Sequence, residues 1–205
     1  MRNNLDAILK NYKPKPLGQQ QIYAVLLPLV YQEGEWQVLY QVRSEGISQP
    51  GEVSFPGGGV KTGETLKDAA IRETVEELNV KQSFIEILGE IDYLVSDYRT
   101  IYCFVGRLHV SDWRSIQPNE EVAKLFTISL ETLLERPPKY YQLSTKVEAA
   151  NDFPFDRLRD GVNYRFYHSN REVPFYDLSG ENLWGITAQF TARFTEIIKE
   201  QEQWL

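Results

Sequence analysis

The sequence predicts an α+β sandwich that residues 1–205 form as one domain. Runs of β-forming residues occur both before and after one helical segment, and a second long helical segment ends the chain. The 205 residues are 42% hydrophobic and 13% aromatic, which is sufficient to build a sizeable core. We therefore expect strands and helices to share one interior.

Turn residues and β-forming runs define the expected elements of the first half. A short helix is expected over residues 5–12, and the prolines at 14 and 16 end it, so residues 1–20 are interpreted as an N-terminal extension. The predicted strands cover 22–30, 36–42 and 52–55, with a hairpin turn at 33–35 and a glycine turn at 56–59. Residues 66–78 contain neither Pro nor Gly and are predicted to be helical.

The second half begins with another predicted pair of strands and ends with a predicted helix. The strands cover 85–95 and 101–110, with a turn at 96–99. A short helix is expected at 130–135, ending before Pro137 and Pro138. Residues 139–205 are interpreted as a C-terminal elaboration, with strand and loop over 140–167 and an amphipathic helix over about 186–203.

Charge, cysteine content and hydropathy exclude several classes of function. The net charge of −7 provides no overall basic field that would attract nucleic acid. Cys103 is the single cysteine, so an intrachain disulfide and a thiolate metal cluster are excluded. The first fifteen residues match neither a signal peptide nor a membrane span. We expect a cytoplasmic protein, monomeric or homodimeric, that binds a small molecule and neither nucleic acid nor a membrane.

The segment from Gly58 to Val80 contains the residues with the clearest chemical role. It reads GGVKTGETLKDAAIRETVEELNV and follows the pattern G-x5-E-x7-R-E-x-x-E-E with Gly58, Glu64, Arg72, Glu73, Glu76 and Glu77. At about 100° per residue, an apolar arc and a charged arc are predicted on opposite sides of the helix. The apolar arc contains Ala70, Ile71, Thr74, Val75 and Leu78, and the charged arc contains Arg72, Glu73, Glu76 and Glu77.

The charged arc is typical of a site for a hard divalent cation. Glu73, Glu76 and Glu77 crowd one surface, where their mutual repulsion should reduce stability unless a cation binds. Mg²⁺ and Mn²⁺ prefer oxygen ligands and are often shared with substrate phosphates. The three glutamates are therefore the predicted metal ligands, Arg72 is placed to orient Glu76, and a main-chain carbonyl of the glycine turn can complete the coordination. Replacing Glu73 or Glu77 by Gln should abolish turnover and leave the fold intact or slightly more stable.

An alternative interpretation of this segment is a solvated surface helix with incidental salt bridges between residues i and i+4. Such a helix should alternate positive and negative charges evenly. Here Arg72 is the one nearby cation for three glutamates and for Glu64 as well. The pattern therefore favours the metal site.

This pattern resembles the Nudix box. Asn79 stands where the box usually has Gly, and Thr74 stands where a larger apolar residue is usual. Asn tolerates the left-handed conformation that ends a helix, and Thr can pack through its methyl group, so neither departure changes a predicted ligand.

The residues before the box resemble the coenzyme A pyrophosphatase branch of the Nudix family. An Arg-Ser pair, Arg43-Ser44, precedes a loop and then the run GEVSFPGG at 51–58. Similarity extends through 89–95, 120–122 and 184–188, and so covers most of the chain after residue 22. Ile47-Ser48 and Pro50 stand where that branch often has a Leu-Arg or Leu-Lys step and a His.

The resemblance implies a Nudix fold, in which a mixed β-sheet lies between α-helices, and a Mg²⁺- or Mn²⁺-dependent hydrolase. Water would split the pyrophosphate of coenzyme A or acyl-CoA into 3′,5′-ADP and (acyl-)4′-phosphopantetheine. The expected catalytic residues are Arg72, Glu76, Glu77 and Glu121, and the expected substrate contacts are Arg43, Ser44, Gly57 and Gly58. Arg43 can equally be an edge-strand surface residue, and Glu121 can be a solvated loop glutamate.

Two other functions agree with the same residues. A Nudix enzyme can act on ADP-ribose, a nucleotide sugar or a dinucleotide, because the box determines the chemistry and not the leaving group. A Nudix-fold module can also sense a nucleotide derivative without cleaving it. Such a sensor is expected to lose box glutamates, and this chain retains all of them.

Overall fold

The structure of the protein is a computed structural model, which describes residues 5–96, 98–150, 152–167, 170–178 and 180–202. Nine strands and four α-helices occur within these ranges. The strands are β1 Gln21–Gln32, β2 Glu35–Arg43, β3 Val53–Ser54, β4 Gly57–Gly59, β5 Ile85–Val95, β6 Arg99–Leu108, β7 Val122–Ser129, β8 Lys139–Ser144 and β9 Asn170–Phe175. The helices are α1 Leu5–Asn11, α2 Leu66–Leu78, α3 Leu130–Glu135 and α4 Gly185–Glu202.

The main sheet is mixed, as predicted. Its central path runs β3-β2-β1-β6-β5, and β7 and β4 pair with β2 and β1 outside this path. β1 and β6 are parallel, with Val25 opposite Cys103, whereas the other pairs are antiparallel. β8 and β9 form a separate two-stranded sheet.

Helices cover both faces of this sheet, which confirms the predicted sandwich. Side chains of β1 alternate between the two faces, so that Leu26 packs in a cluster with α2 and Leu27 packs in a cluster with α3 and α4. Both leucines are fully buried. A strand covered on both sides reads as a continuous apolar run, which explains why residues 24–30 lack a polar alternation.

Most predicted elements occur near their expected positions, and three predictions were incomplete. β7 was not predicted, because apart from Val122 its side chains are only half-buried or exposed and show no clean apolar alternation. The expected glycine turn is in fact strand β4, which pairs with β1. β9 lies beyond the region in which a strand was expected. The predicted end of the last helix, at residue 203, lies outside the described residues.

α4 is an 18-residue helix whose apolar side covers the sheet. Phe190 and Phe194 are buried in the same cluster as Leu27 and Leu133. Among the described residues, no helix combines the length and apolar composition needed to cross a bilayer.

A buried hydrogen bond ties α4 to the centre of β2. Tyr40 is fully buried, and its ring stacks on Phe55 and Phe126 at 5.2 and 5.3 Å. Thr191 donates to the main-chain oxygen of Thr187 at 2.8 Å, so the Tyr40 hydroxyl, 3.2 Å away, donates to Thr191 Oγ1. Burial raises the pKa of Tyr40 far above its usual value, so this hydroxyl remains a donor. The bond holds the first turns of α4 beside β2 and β3.

We expect Tyr40→Phe to lower the free energy of unfolding by about 1 kcal/mol, because it removes one buried hydrogen bond while keeping the ring. Urea unfolding followed by fluorescence measures this loss. The matched control is Tyr141→Phe on β8, where the side chain is 54% exposed and no change is expected. Equal effects of the two substitutions would contradict this account of the α4 contact.

Candidate active site

α2 begins and ends at residues suited to helix termini. Thr65 is the N-cap, and its hydroxyl accepts the main-chain N–H of Asp68 at 3.1 Å. Asn79 ends the helix with φ 53° and ψ 43°, the left-handed conformation that the sequence analysis assigned to it. Thr74 is fully buried, and its hydroxyl donates to the main-chain oxygen of Ala70 at 2.7 Å. The two departures from the box therefore fit the helix.

Arg72 is the centre of the acidic face of α2. Its Nε and Nη2 donate to the two carboxylate oxygens of Glu64 at 2.8 and 3.0 Å, which is a bidentate pair. Its Nη1 donates to Glu73 Oε1 at 2.6 Å and to Glu76 Oε2 at 3.2 Å. Its Nη2 also reaches the main-chain oxygen of Gly59 at 3.1 Å. One guanidinium therefore fixes the turn before the helix, strand β4 and two box glutamates relative to one another.

This arrangement gives Glu64 a role that sequence analysis did not assign. The Arg72 guanidinium and the main-chain N–H of Lys61 lower the pKa of Glu64 to about 2. Glu64 is thus ionised at every physiological pH and holds Arg72 in place. Glu64 is an anchor for Arg72 and is not among the predicted metal ligands.

Glu77 does not lie on the exposed charged arc, so that prediction was wrong. It is only 5% exposed and lies on the packed side of α2 with Ala70, Thr74 and Leu78, whereas Val75 is only half-buried. Residues 70, 74 and 77 follow the i, i+4, i+7 stripe that faces the sheet. At 100° per residue Glu77 lies only about 20° from Ala70, and the sequence analysis placed it on the charged arc because of its charge. Gln41 on β2 offers it a polar partner inside the packed face.

The environment of Glu77 opposes its ionisation. Its Oε2 accepts Gln41 Nε2 at 2.6 Å, and its carboxylate also accepts the main-chain N–H of Gly57. Burial raises the pKa of Glu77 by more than these two donors lower it, and the negative charges of Glu73 and Glu121 raise it further. The pKa of Glu77 is therefore about 7. The predicted residues Glu73, Glu77 and Glu121 are therefore close enough to interact electrostatically.

Glycines of β4 allow the carboxylates to approach the main chain. A Cβ added to Gly58 would lie 2.5 Å from the carboxyl carbon of Glu73, so the Glu73 carboxylate rests directly on this residue. A Cβ added to Gly57 would lie 2.6 Å from the main chain of Ala24 and Val25. Both positions thus require glycine for close approach.

Two of the predicted substrate contacts, Arg43 and Ser44, form hydrogen bonds with neighbouring loops. Arg43 Nε donates to the main-chain oxygen of Ser48 at 2.6 Å, and its Nη2 donates to Ser48 Oγ at 3.1 Å. The main-chain N–H of Ser44 donates to the carbonyl of Glu121 at 2.9 Å. Arg43 and Ser44 therefore hold the loop between β2 and β3, and the loop of Glu121 lies beside them. The side chain of Glu121 is exposed.

The donor set of this site fits a hard divalent cation in its chemistry. Within the described ranges, no three carboxylate, imidazole or thiolate groups stand together closely enough to hold an ion as they are placed. Arg72 binds one oxygen of Glu73 and one of Glu76. The other oxygen of each is left for an ion, and Gln41 adds a buried Oε1 with no hydrogen-bond partner among the described residues. Oxygen donors with no nitrogen or sulfur are the set that Mg²⁺ and Mn²⁺ prefer.

Gln41 is a residue of the candidate site that sequence analysis missed. It is 2% exposed near the end of β2, in the run 38–42, which is otherwise apolar. A polar residue in a buried strand is the available signal, but the sequence cannot indicate which carboxylate it meets.

Comparison with known proteins identifies one family model and two curated relatives that are similar to this chain. The NUDIX domain family model matches residues 21–148. Nudix hydrolase 3 from Caenorhabditis elegans is 36% identical over 55% of this chain and 49% of its own length. Peroxisomal coenzyme A diphosphatase NUDT7 from Mus musculus is 31% identical over 69% of this chain and 62% of its own length. The chain thus spans between about half and two thirds of these two curated relatives.

A solved structure resembles the fold over nearly the whole chain. The crystal structure of a MutT/nudix family protein from Enterococcus faecalis has a TM-score of 0.51. The match covers 97% of this chain and 70% of that chain at 13% sequence identity, so it bears on the fold alone.

Gly58→Ala should weaken Mn²⁺ binding roughly tenfold while the protein remains folded, because the added methyl group displaces the Glu73 carboxylate. Isothermal titration calorimetry measures the affinity. Gly59→Ala is the matched control, since a Cβ at Gly59 meets no atom within 4 Å. If both variants bind Mn²⁺ like the parent protein, the contact between Gly58 and Glu73 has no role in metal binding.

Glu77→Gln should stabilise the metal-free protein at pH 8 by roughly 1–3 kcal/mol and have little effect at pH 5. The folded pKa of about 7 lies above the unfolded value of 4.5, so protonated Glu77 favours folding at low pH and this contribution is lost as the pH rises through 7. Urea unfolding in EDTA at both pH values tests this. Glu76→Gln is the control, because that side chain is 51% exposed and should show no comparable gain at pH 8. A Glu77→Gln effect that does not change with pH would contradict the assignment.

The stability prediction for Glu73→Gln has to be revised, however. The Glu73 carboxylate is paired with Arg72 at 2.6 Å, so the substitution removes an attraction together with the repulsion by its neighbours. A gain in stability is expected for Glu77→Gln alone.

Proposed function

We propose, because this chain belongs to the Nudix family, that it is a metal-dependent pyrophosphohydrolase that cleaves coenzyme A or acyl-CoA to 3′,5′-ADP and (acyl-)4′-phosphopantetheine. The observation that supports hydrolysis best is the set of box glutamates around Arg72 and Gly58. All of the box carboxylates are present, and two of them keep an oxygen that Arg72 does not bind. A module that only senses a nucleotide has no need of them.

The proposed roles follow from the side-chain contacts. Glu73, Glu76 and Glu77 would hold Mg²⁺ or Mn²⁺, and the main chain at Gly58 would lie against the same ion. When bound, the metal supplies stabilisation of charge on the phosphate oxygens and a more acidic water. Arg72 orients Glu73 and Glu76, and its own orientation is maintained by Glu64.

The general base is proposed to be Glu77 or Glu121. In the metal-free protein, burial raises the pKa of Glu77 to about 7, and Glu77 would act as the base only with an oxygen that does not bind the metal ion. Glu121 is exposed on a neighbouring loop, and its charge acts on Glu77. Arg43 and Ser44 are proposed substrate contacts, since their loop leads directly into β3 and β4.

Coenzyme A is proposed as the substrate on two grounds. The run GEVSFPGG at 51–58 resembles the corresponding residues of coenzyme A pyrophosphatases. The mouse relative that is 31% identical is described as a coenzyme A diphosphatase.

We further propose that residues 1–205 form one domain, because α4 completes the core over the main sheet. We also propose that the protein is cytoplasmic and that it is monomeric or homodimeric.

The test is incubation with Mg²⁺ and a panel of coenzyme A, acyl-CoA, ADP-ribose, NADH and nucleotide sugars, with products identified by mass. We expect 3′,5′-ADP and 4′-phosphopantetheine from coenzyme A, and a loss of kcat of at least about a hundredfold for Glu73→Gln and Glu77→Gln. Glu131→Gln, an exposed glutamate on α3, is the control that should keep full activity.

The panel also separates the alternatives. Cleavage of ADP-ribose without cleavage of coenzyme A would replace the proposed substrate and keep the proposed chemistry. A folded, metal-binding protein that cleaves nothing would instead indicate a nucleotide-sensing module.

A further inference from the structure

A groove lined by three arginines lies beside the candidate metal site. Its volume is about 250 Å³, and Arg43, Arg99 and Arg171 line it together with Gly57, Ser54 and the start of α4. We call it the arginine groove. Gln41 connects it to the carboxylates, because Gln41 Nε2 lies 3.3 Å from Ser54 Oγ and 2.6 Å from Glu77 Oε2. The groove therefore begins within one side chain of Glu77.

Carboxylates of the described residues do not neutralise the three arginines of the groove. Arg72, Arg107, Arg114 and Arg193 each form ion pairs. Within the described ranges Arg43, Arg99 and Arg171 form none. In a protein with a net charge of −7, three uncompensated guanidinium groups in one groove mark a local anion site.

Arg99 lines the groove and has no anionic partner among the described residues. Its Nε is buried and has no hydrogen-bond partner among the described residues. Its Nη2 donates to the Tyr98 hydroxyl at 3.0 Å, and its guanidinium lies 4.7 Å from the centre of the Tyr98 ring. A buried charged N–H without an acceptor is unfavourable, so the protein holds this guanidinium at the groove without neutralising its charge.

The other groups in the groove are also arranged for an anion. Glu52 is its one acidic lining residue, and the carboxylate accepts Trp184 Nε1 at 2.7 Å. The 18-residue helix α4 begins at Gly185, and Gly185, Ile186 and Thr187 line the groove, so the positive end of the helix dipole lies at the groove. Three arginines and a helix N-terminus thus face one carboxylate.

We infer that the arginine groove binds a phosphate monoester of the substrate other than the pyrophosphate that is cleaved. This inference rests on the proposed function, which assigns the pyrophosphate to the box glutamates and Gly58. Gly57 lines the groove and its main-chain N–H donates to Glu77, so the groove adjoins the metal site, and we assign its anion to a separate group of the same ligand. The ligand class is a nucleoside diphosphate derivative with an additional phosphate on its ribose, and Arg99 and Arg171 are the residues that select it.

Direct binding of nucleotides tests the groove without turnover. Calorimetry in EDTA compares adenosine 3′,5′-bisphosphate with adenosine 5′-monophosphate. We expect the parent protein to prefer the bisphosphate about tenfold or more, and Arg99→Gln and Arg171→Gln each to remove most of this preference. Arg171→Lys should keep part of it, because the charge remains. Arg136→Gln, at the exposed end of α3, is the matched control and should keep all of it.

The outcomes separate this inference from the proposed function. Equal affinity for the two nucleotides, no binding of either at millimolar concentration, or a preference that survives in both Gln variants would overturn the groove assignment, whatever the enzyme hydrolyses. Conversely, a preference that depends on Arg99 and Arg171 in a protein that cleaves no pyrophosphate would support the groove and contradict the hydrolase.

Discussion

The arrangement of the site depends on one guanidinium group between several carboxylates. Arg72 contacts Glu64, Glu73, Glu76 and the main chain of Gly59, and thereby links the turn before α2, the helix and β4. A planar group with donors in fixed directions can make these contacts at once, whereas an ammonium group could not make the bidentate pair with Glu64. Without it, the glutamates of one helix face would repel one another and take no defined positions.

The strong pairing of Arg72 also limits what it can do for a substrate. Its neighbours raise its pKa well above the usual value, so it remains charged, but most of its donors are already used by the protein. Arg72 is therefore a positioning residue for the carboxylates. Contacts with phosphate oxygens therefore have to come from other groups. The main chain of β4 and the arginines of the arginine groove are the groups available nearby.

Sequence analysis predicted the chemistry of the site better than its geometry. The spacing of the box residues determines which side chains occur together on α2, and the caps at Thr65 and Asn79 follow from local preferences. Glu77 was placed on the wrong face because of its charge, since the partner that permits its burial, Gln41, is 36 residues away in the sequence. Strand β7 and the convergence of Arg43, Arg99 and Arg171 were missed for a similar reason. Each depends on pairing between distant segments, and a single sequence carries no local signal for such pairing.

The distribution of charge reconciles an acidic protein with a polyanionic ligand. On α2 the four acidic residues outnumber the two basic ones, Lys67 and Arg72, so this side of Gly57 attracts a cation. On the other side, three arginines without carboxylate partners among the described residues face Glu52, so this side attracts an anion. A ligand whose pyrophosphate needs a metal ion and whose remaining phosphate needs direct neutralisation matches both sides at once. Ligands with the pyrophosphate alone would satisfy the first side and leave the three arginines of the groove without a counter-charge. Selection between these ligands would then arise from the positive charge of the groove, and not from the residues that carry out the hydrolysis.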